Sequence, residues 1–334
     1  MQIYLAPLEG ITTYVYRRAY EHHFGGADRY FTPFIVNKKM AKKEIEGILP
    51  ENNPGKMLIP QIMSNKAEDF VQVAKEIASY GYDIVNLNLG CPSGTVVSKK
   101  RGAGFLAYPD ELDAFLSEVY DKCPIKISIK TRIGLEDECE WEQLLSIYEK
   151  YPMEELIIHP RLRSDFYKGA IRKDAFAKAL EQIPVPVCYN GEIHSVEDYV
   201  RIKEDFPQIN RIMIGRGLLR HPELIAQIRS LESGNPIEDA RKMPLFNCCD
   251  GENGEIVAEE AFAVEWKRRM RGFHDEAYEG YKEIMSGDRN TLFKMKELWS
   301  YMGEAFPGAE KQIKQIKKAN HLRDYEIAVN TIFR

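Results

Sequence analysis

Eight short apolar runs, rich in β-branched residues, recur through the first two thirds of this 334-residue chain, and segments with helical spacing separate them. The runs are Ile3–Leu5, Tyr30–Phe34, Met57–Ile62, Ile84–Leu89, Ile125–Lys130, Leu156–Ile158, Val185–Tyr189 and Ile212–Ile214. Strands that alternate with helices predict a parallel sheet, and eight such units match the α/β class (β/α)8 TIM barrel. A doubly wound open sheet is the competing architecture.

Nearly every run ends in polar side chains capable of chemistry, and they favour the barrel over the open sheet. They are Glu9, Gln61, Asn88, Lys130, His159, Asn190 and Arg216. In a barrel the carboxyl ends of all strands converge on one mouth, whereas an open sheet spreads most of them too far apart. We therefore expect a TIM barrel with its functional site at that mouth.

Turn-forming Gly, Pro, Asn and Asp residues interrupt this rhythm between residues 232 and 257. Helical periodicity then continues to the end of the chain, with one apolar stripe formed by Leu292, Met295, Trp299 and Met302. The sequence predicts a catalytic barrel domain over residues 1–231, a linker over 232–257 and a small α-helical bundle over 258–334.

The chain holds 46 Lys and Arg against 51 Asp and Glu, and this net charge of -5 argues against a general nucleic-acid binder. Residues 261–334 carry 14 basic against 11 acidic side chains, a balance that permits a polyanionic partner on that part only and is also typical of a solvated helical tail. The first residues lack the layout of a signal peptide, and the six cysteines include no CxxC pair. We expect a cytoplasmic protein with no membrane span and no metal site.

Cys91 is the candidate catalytic residue, because it lies where the fourth predicted strand leads into a Gly/Pro turn beside Asn88. A thiol there can serve as a nucleophile or as a proton donor, and the residues alone leave both open. Lys130 ends the fifth strand and suits a Schiff base or an anionic cofactor. His159 and Arg161 supply further hydrogen-bond donors after the sixth strand.

Glycine-containing turns follow the last two strands, at Asn190-Gly191-Glu192 and Gly215-Arg216-Gly217. Barrels commonly bind phosphate in these two loops, so the turns predict a phosphorylated cofactor or substrate. The segment Gly102–Ala107 has the form of a dinucleotide fingerprint, but basic residues precede it where a buried strand is required. We expect a flexible loop there, near the mouth, in which the basic residues touch a phosphate or are solvated. These residues are Lys99, Lys100 and Arg101.

Together these segments resemble the tRNA-dihydrouridine synthases (Dus), which are flavoenzymes with an FMN-binding barrel and a C-terminal helical domain. The motifs occur in order at five strand ends: Asn88-Leu89-Gly90-Cys91-Pro92, Lys130-Thr131-Arg132-Ile133-Gly134, His159-Pro160-Arg161, Asn190-Gly191 and Gly215-Arg216-Gly217. The resemblance runs from Ala6 to Gly217, and more loosely from Phe293 to Phe333. Three positions depart from the family pattern: Leu8 replaces Met, Thr13 replaces Asp, and Glu192 replaces Asp.

The resemblance implies FMN as cofactor, NADPH as electron donor and tRNA as partner. The cofactor contacts that it implies are Pro7, Leu8, Glu9, Gln61, Lys130, His159, Asn190, Gly191, Glu192, Gly215 and Arg216. The implied general acid is Cys91. The implied substrate contacts are Asn88, Arg161, Tyr167, Lys99, Lys100 and Arg101.

The implied reaction is reduction of the C5–C6 double bond of specific uridines in tRNA, with a hydride from FMN N5 to C6 and a proton from Cys91 to C5. The alternative is an FMN-dependent barrel reductase of a free pyrimidine or another small enone-like substrate, which has no need of a basic helical domain. A third hypothesis is an RNA-binding scaffold that keeps the barrel without a flavin. We expect a monomer that binds neither DNA nor membranes.

Overall fold

A computed structural model describes residues 1–55, 57–242 and 258–334 of the chain. The chain forms two compact units. The first consists of Met1–Glu9, Asp28–Glu192 and Asp205–Ile214, and the second of Gly10–Ala27, Ile193–Glu204 and Gly215–Arg334.

The first unit contains the nine strands found in the described residues. They are β1 Gln2–Leu5, β2 Arg29–Phe31, β3 Leu58–Ile59, β4 Gln61–Ile62, β5 Ile84–Leu89, β6 Lys126–Arg132, β7 Leu156–His159, β8 Val187–Tyr189 and β9 Arg211–Ile214. All pair in parallel, in the order β3-β2-β1-β9-β8-β7-β6-β5-β4.

β3 and β4 are two halves of one predicted run, separated by Pro60. Proline has no amide hydrogen to give to the ladder, which explains why the run divides there. Because these halves are the two ends of the strand order, the sheet nearly closes into a barrel of eight runs. The structure confirms the TIM barrel, and each of the eight predicted runs overlaps at least one strand.

The interior of the barrel is apolar in its middle and polar toward the carboxyl ends of the strands. The apolar cluster consists of Tyr4, Ala6, Phe31, Ile59, Ile84, Ile157, Cys188 and Met213. Successive strand residues point to opposite faces, so Asn86 and Asn88 share the face of Ile84, and His159 shares that of Ile157. The same two-residue period therefore builds both the core and the polar mouth.

The described residues form fifteen α-helices. They are α1 Tyr14–His23, α2 Lys42–Ile48, α3 Ala67–Ala78, α4 Gly94–Val97, α5 Pro109–Lys122, α6 Glu140–Tyr148, α7 Lys173–Gln182, α8 Val196–Asp205, α9 Arg216–Arg220, α10 Leu224–Glu232, α11 Ile237–Lys242, α12 Ala258–Ile284, α13 Asp288–Met302, α14 Glu310–Lys318 and α15 Leu322–Phe333. Helices α2–α7 belong to the first unit. There the predicted apolar faces of α3 and α5 are buried, with the rings of Phe70 and Phe115 edge to face at 6.0 Å.

One local expectation is wrong. Gly102–Ala107 is a 3₁₀ helix with five of its residues buried, rather than a flexible loop. Its amide groups are used within the barrel unit, since the Ala103 N–H donates to the Cys91 carbonyl over 3.1 Å. The glycines allow this close packing, because a Cβ on Gly104 would lie 2.7 Å from the backbone of Val97.

The second unit is helical. Its α1 packs on α12, with Tyr16 edge to face against Phe273 at 5.5 Å and the hydroxyls of Thr13 and Tyr281 2.9 Å apart. Thr13, one of the departures from the family pattern, therefore has a partner suited to its hydroxyl.

The predicted apolar stripe of the C-terminal part is confirmed, since its four members are all buried in α13. Trp299 on that stripe donates its indole N–H to the Tyr325 hydroxyl over 3.0 Å, which links α13 to α15. Helix α11 lies within the stretch predicted as a linker. Residues 243–257, which include Cys248, Cys249 and the predicted turn at 250–254, lie outside the described residues. Within the described part, no helix is both long enough and apolar enough to cross a membrane.

Candidate active site at the barrel mouth

The side chain of Asn88 shapes the turn that carries Cys91. Its Oδ1 accepts the backbone N–H groups of Gly90 and Cys91, each over 3.0 Å. Asparagine is well suited to this task because its short side chain can bind the backbone two and three residues ahead. The Cys91 carbonyl is held from the other side by the Ala103 N–H. The half-buried thiol therefore projects from a turn that is fixed at both ends.

A row of buried polar side chains runs from Asn88 across three strands. Asn88 Nδ2 donates to Gln61 Oε1 over 2.7 Å, and Gln61 Nε2 donates to Asn86 Oδ1 over 2.8 Å. Asn86 Nδ2 in turn donates to Ser128 Oγ over 2.8 Å. An amide oxygen only accepts hydrogen bonds and an amide nitrogen only donates them, so the row fixes the orientation of all three amides. Gln61 and Asn88 each keep one amide hydrogen outside the row.

Lys130 lies beside Asn88 on the neighbouring strand, since the register of β5 and β6 pairs these two residues. Its side chain is only partly exposed, and no described residue accepts a hydrogen bond from its ammonium group. Burial, with a smaller contribution from the Arg132 charge, lowers the pKa of Lys130 to about 8. The ammonium group remains mostly protonated at neutral pH and is available to an anionic group at the mouth.

The pKa of Cys91 is shifted in the opposite sense. Burial raises the pKa of the thiol, Glu9 raises it further, and the cations Arg132 and Lys130 partly oppose them. A thiol with a raised pKa stays protonated at neutral pH. Its electrostatic environment thus favours a proton donor over a thiolate nucleophile, the choice that the residues alone leave open.

Arg132 connects the Cys91 turn to the loop that follows β7. Its side chain is buried and donates to three backbone carbonyls: Gly90 over 2.9 Å, Leu162 over 2.8 Å and Phe166 over 2.8 Å. Sequence reasoning assigned Arg132 no role. A signal was present, because Ser128, Lys130 and Arg132 alternate along β6 and so share one face.

The loop after β7 contains three predicted site residues. His159 ends β7 and is buried, with its ring 6.1 Å from that of Tyr167. Tyr167 has 46% of its surface exposed. Arg161 is buried, donates from Nε to the Gly169 carbonyl over 2.6 Å and forms an ion pair with Glu192. Its charge is therefore committed to a protein carboxylate.

The predicted phosphate residues divide between the two units. In the first unit, Asn190 Nδ2 donates to the Met213 carbonyl over 2.7 Å. Gly191 has a steric role of its own, because a Cβ there would collide with the Tyr189 hydroxyl. In the second unit, Gly215 precedes α9 and Arg216 begins it.

The remaining predicted residues lie at two other strand ends. Pro7, Leu8 and Glu9 follow β1, and Glu9 is close enough to Cys91 to influence its charge. Of the loop cations, Lys99 is exposed, whereas Lys100 pairs with a carboxylate of α5, Glu111, over 3.0 Å. Arg101 Nε donates to the Asn65 side chain over 3.4 Å.

Comparison with known proteins identifies the family of this chain. The sequence profile of the family described as "Dihydrouridine synthase (Dus)" matches residues 4–271. The chain is 30% identical over 233 residues to "tRNA-dihydrouridine synthase B" of Pasteurella multocida, covering 69% of each protein. It is 27% identical over 248 residues to "tRNA-dihydrouridine(16) synthase" of Neisseria meningitidis serogroup A, covering 71% of this chain and 74% of that protein.

Among solved structures, morphinone reductase shares the fold, with a TM-score of 0.51 at 13% identity over 68% of this chain and 85% of that one. The family profile spans most of the chain, from within β1 through the other eight described strands, and it includes the turn that carries Cys91. The chain therefore belongs to the dihydrouridine synthase family.

Proposed function

We propose that this chain is a tRNA-dihydrouridine synthase, which uses FMN and NADPH to reduce the C5–C6 double bond of specific uridines in tRNA. One observation carries the proposal: Asn88 binds the backbone of the turn that carries Cys91, and the sheet register places the partly buried Lys130 directly beside Asn88. Burial raises the pKa of the Cys91 thiol, which favours its protonated form. The names of the relatives that are similar over two thirds of their length support tRNA as the substrate.

The donors at the mouth fit a flavin. Lys130 has no acceptor among the described residues, and Gln61 keeps one amide hydrogen outside the polar row. Such donors match the electron-rich edge of an isoalloxazine ring, whose chemistry when bound is the delivery of a hydride to C6 of uracil. Lys130 would offset negative charge at this edge, as preorganised cations do in catalytic sites.

The other cofactor contacts stay predictions. Pro7, Leu8 and Glu9 would line the ring, His159 would lie at its outer side, and Asn190, Gly191, Gly215 and Arg216 would bind the phosphate. A carboxylate repels a phosphate, and the Glu192 carboxylate already pairs with Arg161. We therefore propose that Glu192 does not contact the phosphate itself and that it positions Arg161 near the phosphate-binding residues.

Cys91 would supply the proton. Hydride addition at C6 leaves carbanion character at C5 of the uracil, and the Cys91 S–H bond breaks as a new C5–H bond forms. Positioned general acids contribute about 10²–10⁴-fold to rate. Asn88 keeps the thiol in place through the backbone of its turn, and its remaining amide hydrogen is available to the uracil.

The RNA would reach this site with its target base turned out of the stack, because the reacting atoms are inaccessible inside one. We assign Tyr167 and the loop cations Lys99, Lys100 and Arg101 to the approach of the RNA. Arg161 is buried and paired with Glu192, so we assign it a supporting role beneath this surface. We assign the helical residues 258–334 to its backbone, with residues 1–231 as the catalytic domain. A cytoplasmic monomer completes the proposal.

The experiment that tests the proposal is mass-spectrometric mapping of dihydrouridine across the tRNA pool of a strain that lacks this protein. We expect dihydrouridine to be lost at defined positions and restored by the intact protein but not by Cys91→Ala. An unchanged map, together with turnover of a free pyrimidine by the purified protein, would contradict it in favour of a small-molecule reductase.

A further inference from the structure

Phe166, in the loop after β7, combines an unusual backbone conformation with an exposed aromatic side chain. Its backbone φ is +50°, and in the described residues only Lys100 shares a positive φ without being glycine. Bulky residues rarely adopt this region, and glycine adopts it without strain. The Phe166 side chain is also 45% exposed, so burial does not account for the aromatic ring.

The strained backbone is held by specific contacts. The Phe166 N–H donates to the Arg163 carbonyl over 3.1 Å, and the Phe166 carbonyl accepts from Arg132 Nη2 over 2.8 Å. The same Arg132 guanidinium binds the Gly90 carbonyl next to Cys91. Phe166 is therefore fixed relative to the catalytic turn by one shared side chain. Strained residues that the surroundings hold in this way cluster at functional sites.

The surface around the ring is suited to a nucleotide. The Arg163 guanidinium lies 5.0 Å from the centroid of the Phe166 ring, and the exposed Tyr167 ring follows directly, with Arg132 5.3 Å from its centroid. Exposed Lys168 adds a further positive charge. The carboxylates nearby are engaged, since Asp165 pairs with Arg172 and Glu136 lies 3.8 Å from Arg163.

We propose that Phe166, backed by Arg163, forms a stacking subsite for the nucleobase next to the reacting uridine. This inference rests on the proposed function, because it needs a polynucleotide substrate. A uridine turned out of its stack leaves the neighbouring base without a partner on one face. An exposed aromatic ring offers that base a replacement, and base–aromatic stacking is a principal means of binding single-stranded RNA.

The decisive variant is Phe166→Gly. It removes the ring and also relieves the positive φ, so its thermal midpoint shows directly whether the fold is kept. We expect its thermal midpoint to equal or exceed that of the wild type, and its KM for unmodified tRNA to rise about 5- to 150-fold, with kcat little changed. Phe166→Trp should keep the wild-type KM because it keeps a stacking surface.

The matched control is Met57→Ala, which removes an exposed apolar side chain that precedes β3, at the amino ends of the strands. It should leave the KM for tRNA unchanged. An unchanged KM in Phe166→Gly, or an equal rise in KM for Phe166→Gly and Phe166→Trp, would overturn the stacking subsite.

A second measurement tests the partner of the ring directly. Two transcripts are compared with unmodified tRNA, one with an abasic nucleotide on the 5′ side of the reacting uridine and one with it on the 3′ side. Only one of the two should bind the wild type more weakly than unmodified tRNA does. On that side, Phe166→Gly should add no further loss, because both changes remove the same contact. Additive losses on both sides would refute the contact.

The proposed function and the stacking subsite can fail separately. Dihydrouridine formation by the wild-type protein on unmodified tRNA is measured first, and its absence would overturn the proposed function together with the subsite. With an active wild type, an unchanged KM in Phe166→Gly would overturn the subsite alone.

Discussion

At the scale of single residues, burial acts in opposite directions on the two groups that matter most for the proposed chemistry. It raises the pKa of the Cys91 thiol and lowers that of the Lys130 ammonium, because it disfavours whichever form is charged. The Cys91 thiol therefore keeps its proton at neutral pH. The Lys130 ammonium group loses its proton as the pH rises through about 8.

Replacing Cys91 with alanine should separate the two halves of the reaction. We expect Cys91→Ala to bind flavin and to be reduced by NADPH at wild-type rates, while dihydrouridine formation falls about 10²–10⁴-fold. Stopped-flow absorbance measures the first half and mass spectrometry of tRNA the second. Cys139→Ser, which changes an exposed thiol before α6, is the control and should behave as wild type. Equal product formation by Cys91→Ala would refute the general-acid role.

The pKa of Lys130 predicts how cofactor affinity depends on pH. As pH rises through about 8, the ammonium group of the cofactor-free protein loses its proton, and attraction to the electron-rich flavin edge is lost. We expect the affinity for FMN to fall between pH 7 and pH 9, as measured by quenching of flavin fluorescence. Lys130→Arg should remove this dependence because a guanidinium group stays charged. The same pH dependence in both proteins would exclude Lys130 from the cofactor site.

At the scale of elements, the candidate site depends on short turns more than on the strands that support them. The Cys91 turn is held by Asn88 at one side and by the 3₁₀ helix Gly102–Ala107 at the other. Gly102 has a φ of +54°, and a Cβ there would lie 3.0 Å from both the Cβ and the carbonyl oxygen of Cys91. Any side chain at this position would push against the catalytic turn.

Gly102→Ala should therefore impair catalysis through the backbone. We expect a loss of stability of about 1–3 kcal/mol from the strained φ. We expect dihydrouridine formation to fall by about 10²-fold if the thiol moves by 1 Å. Chemical denaturation and product assays measure the two effects. Gly94→Ala is the matched control, because nothing lies within 4 Å of its added Cβ. Similar activity of the two variants would show that the thiol position tolerates this change.

At the scale of the whole molecule, the C-terminal helices carry positive charge that the first unit lacks overall. The clearest example is α14, whose lysines Lys311, Lys314, Lys317 and Lys318 are all exposed. Removal of residues 258–334 would test their role poorly, because α1 packs its Tyr16 against Phe273 of α12 and would lose that cover. Substitution of surface charges is the cleaner test.

The double variant Lys314→Ala/Lys317→Ala should weaken tRNA binding and reduce its dependence on salt. Each lost phosphate contact should lower the slope of log K against log salt concentration by about 1. Titrations at several salt concentrations measure this slope. Lys122→Ala/Lys126→Ala is the control, since these exposed lysines lie at the end of α5 and the start of β6, away from the mouth. An equal slope for both variants would argue against α14 as a contact.

The sequence by itself determined the class of fold and the order of its strands, and it supplied the candidate site residues that stay predictions. The eight runs and the stripe of α13 follow from local periodicity, because the alternation of a strand and the spacing of a helix are set by neighbours a few positions apart. The burial of the 3₁₀ helix Gly102–Ala107 was harder to predict from the sequence, since it depends on the residues that pack against it.

Only the tertiary structure decided which partners these residues have. The register that places Asn88 beside Lys130, the amide row from Gln61 to Ser128 and the hold of Arg132 on Gly90 and Phe166 join residues that are far apart in the chain. Hydrogen bonds and pKa shifts depend on distance and burial in space, which periodicity does not specify. The strain of Phe166 has the same origin, because contacts outside its own loop hold it in place.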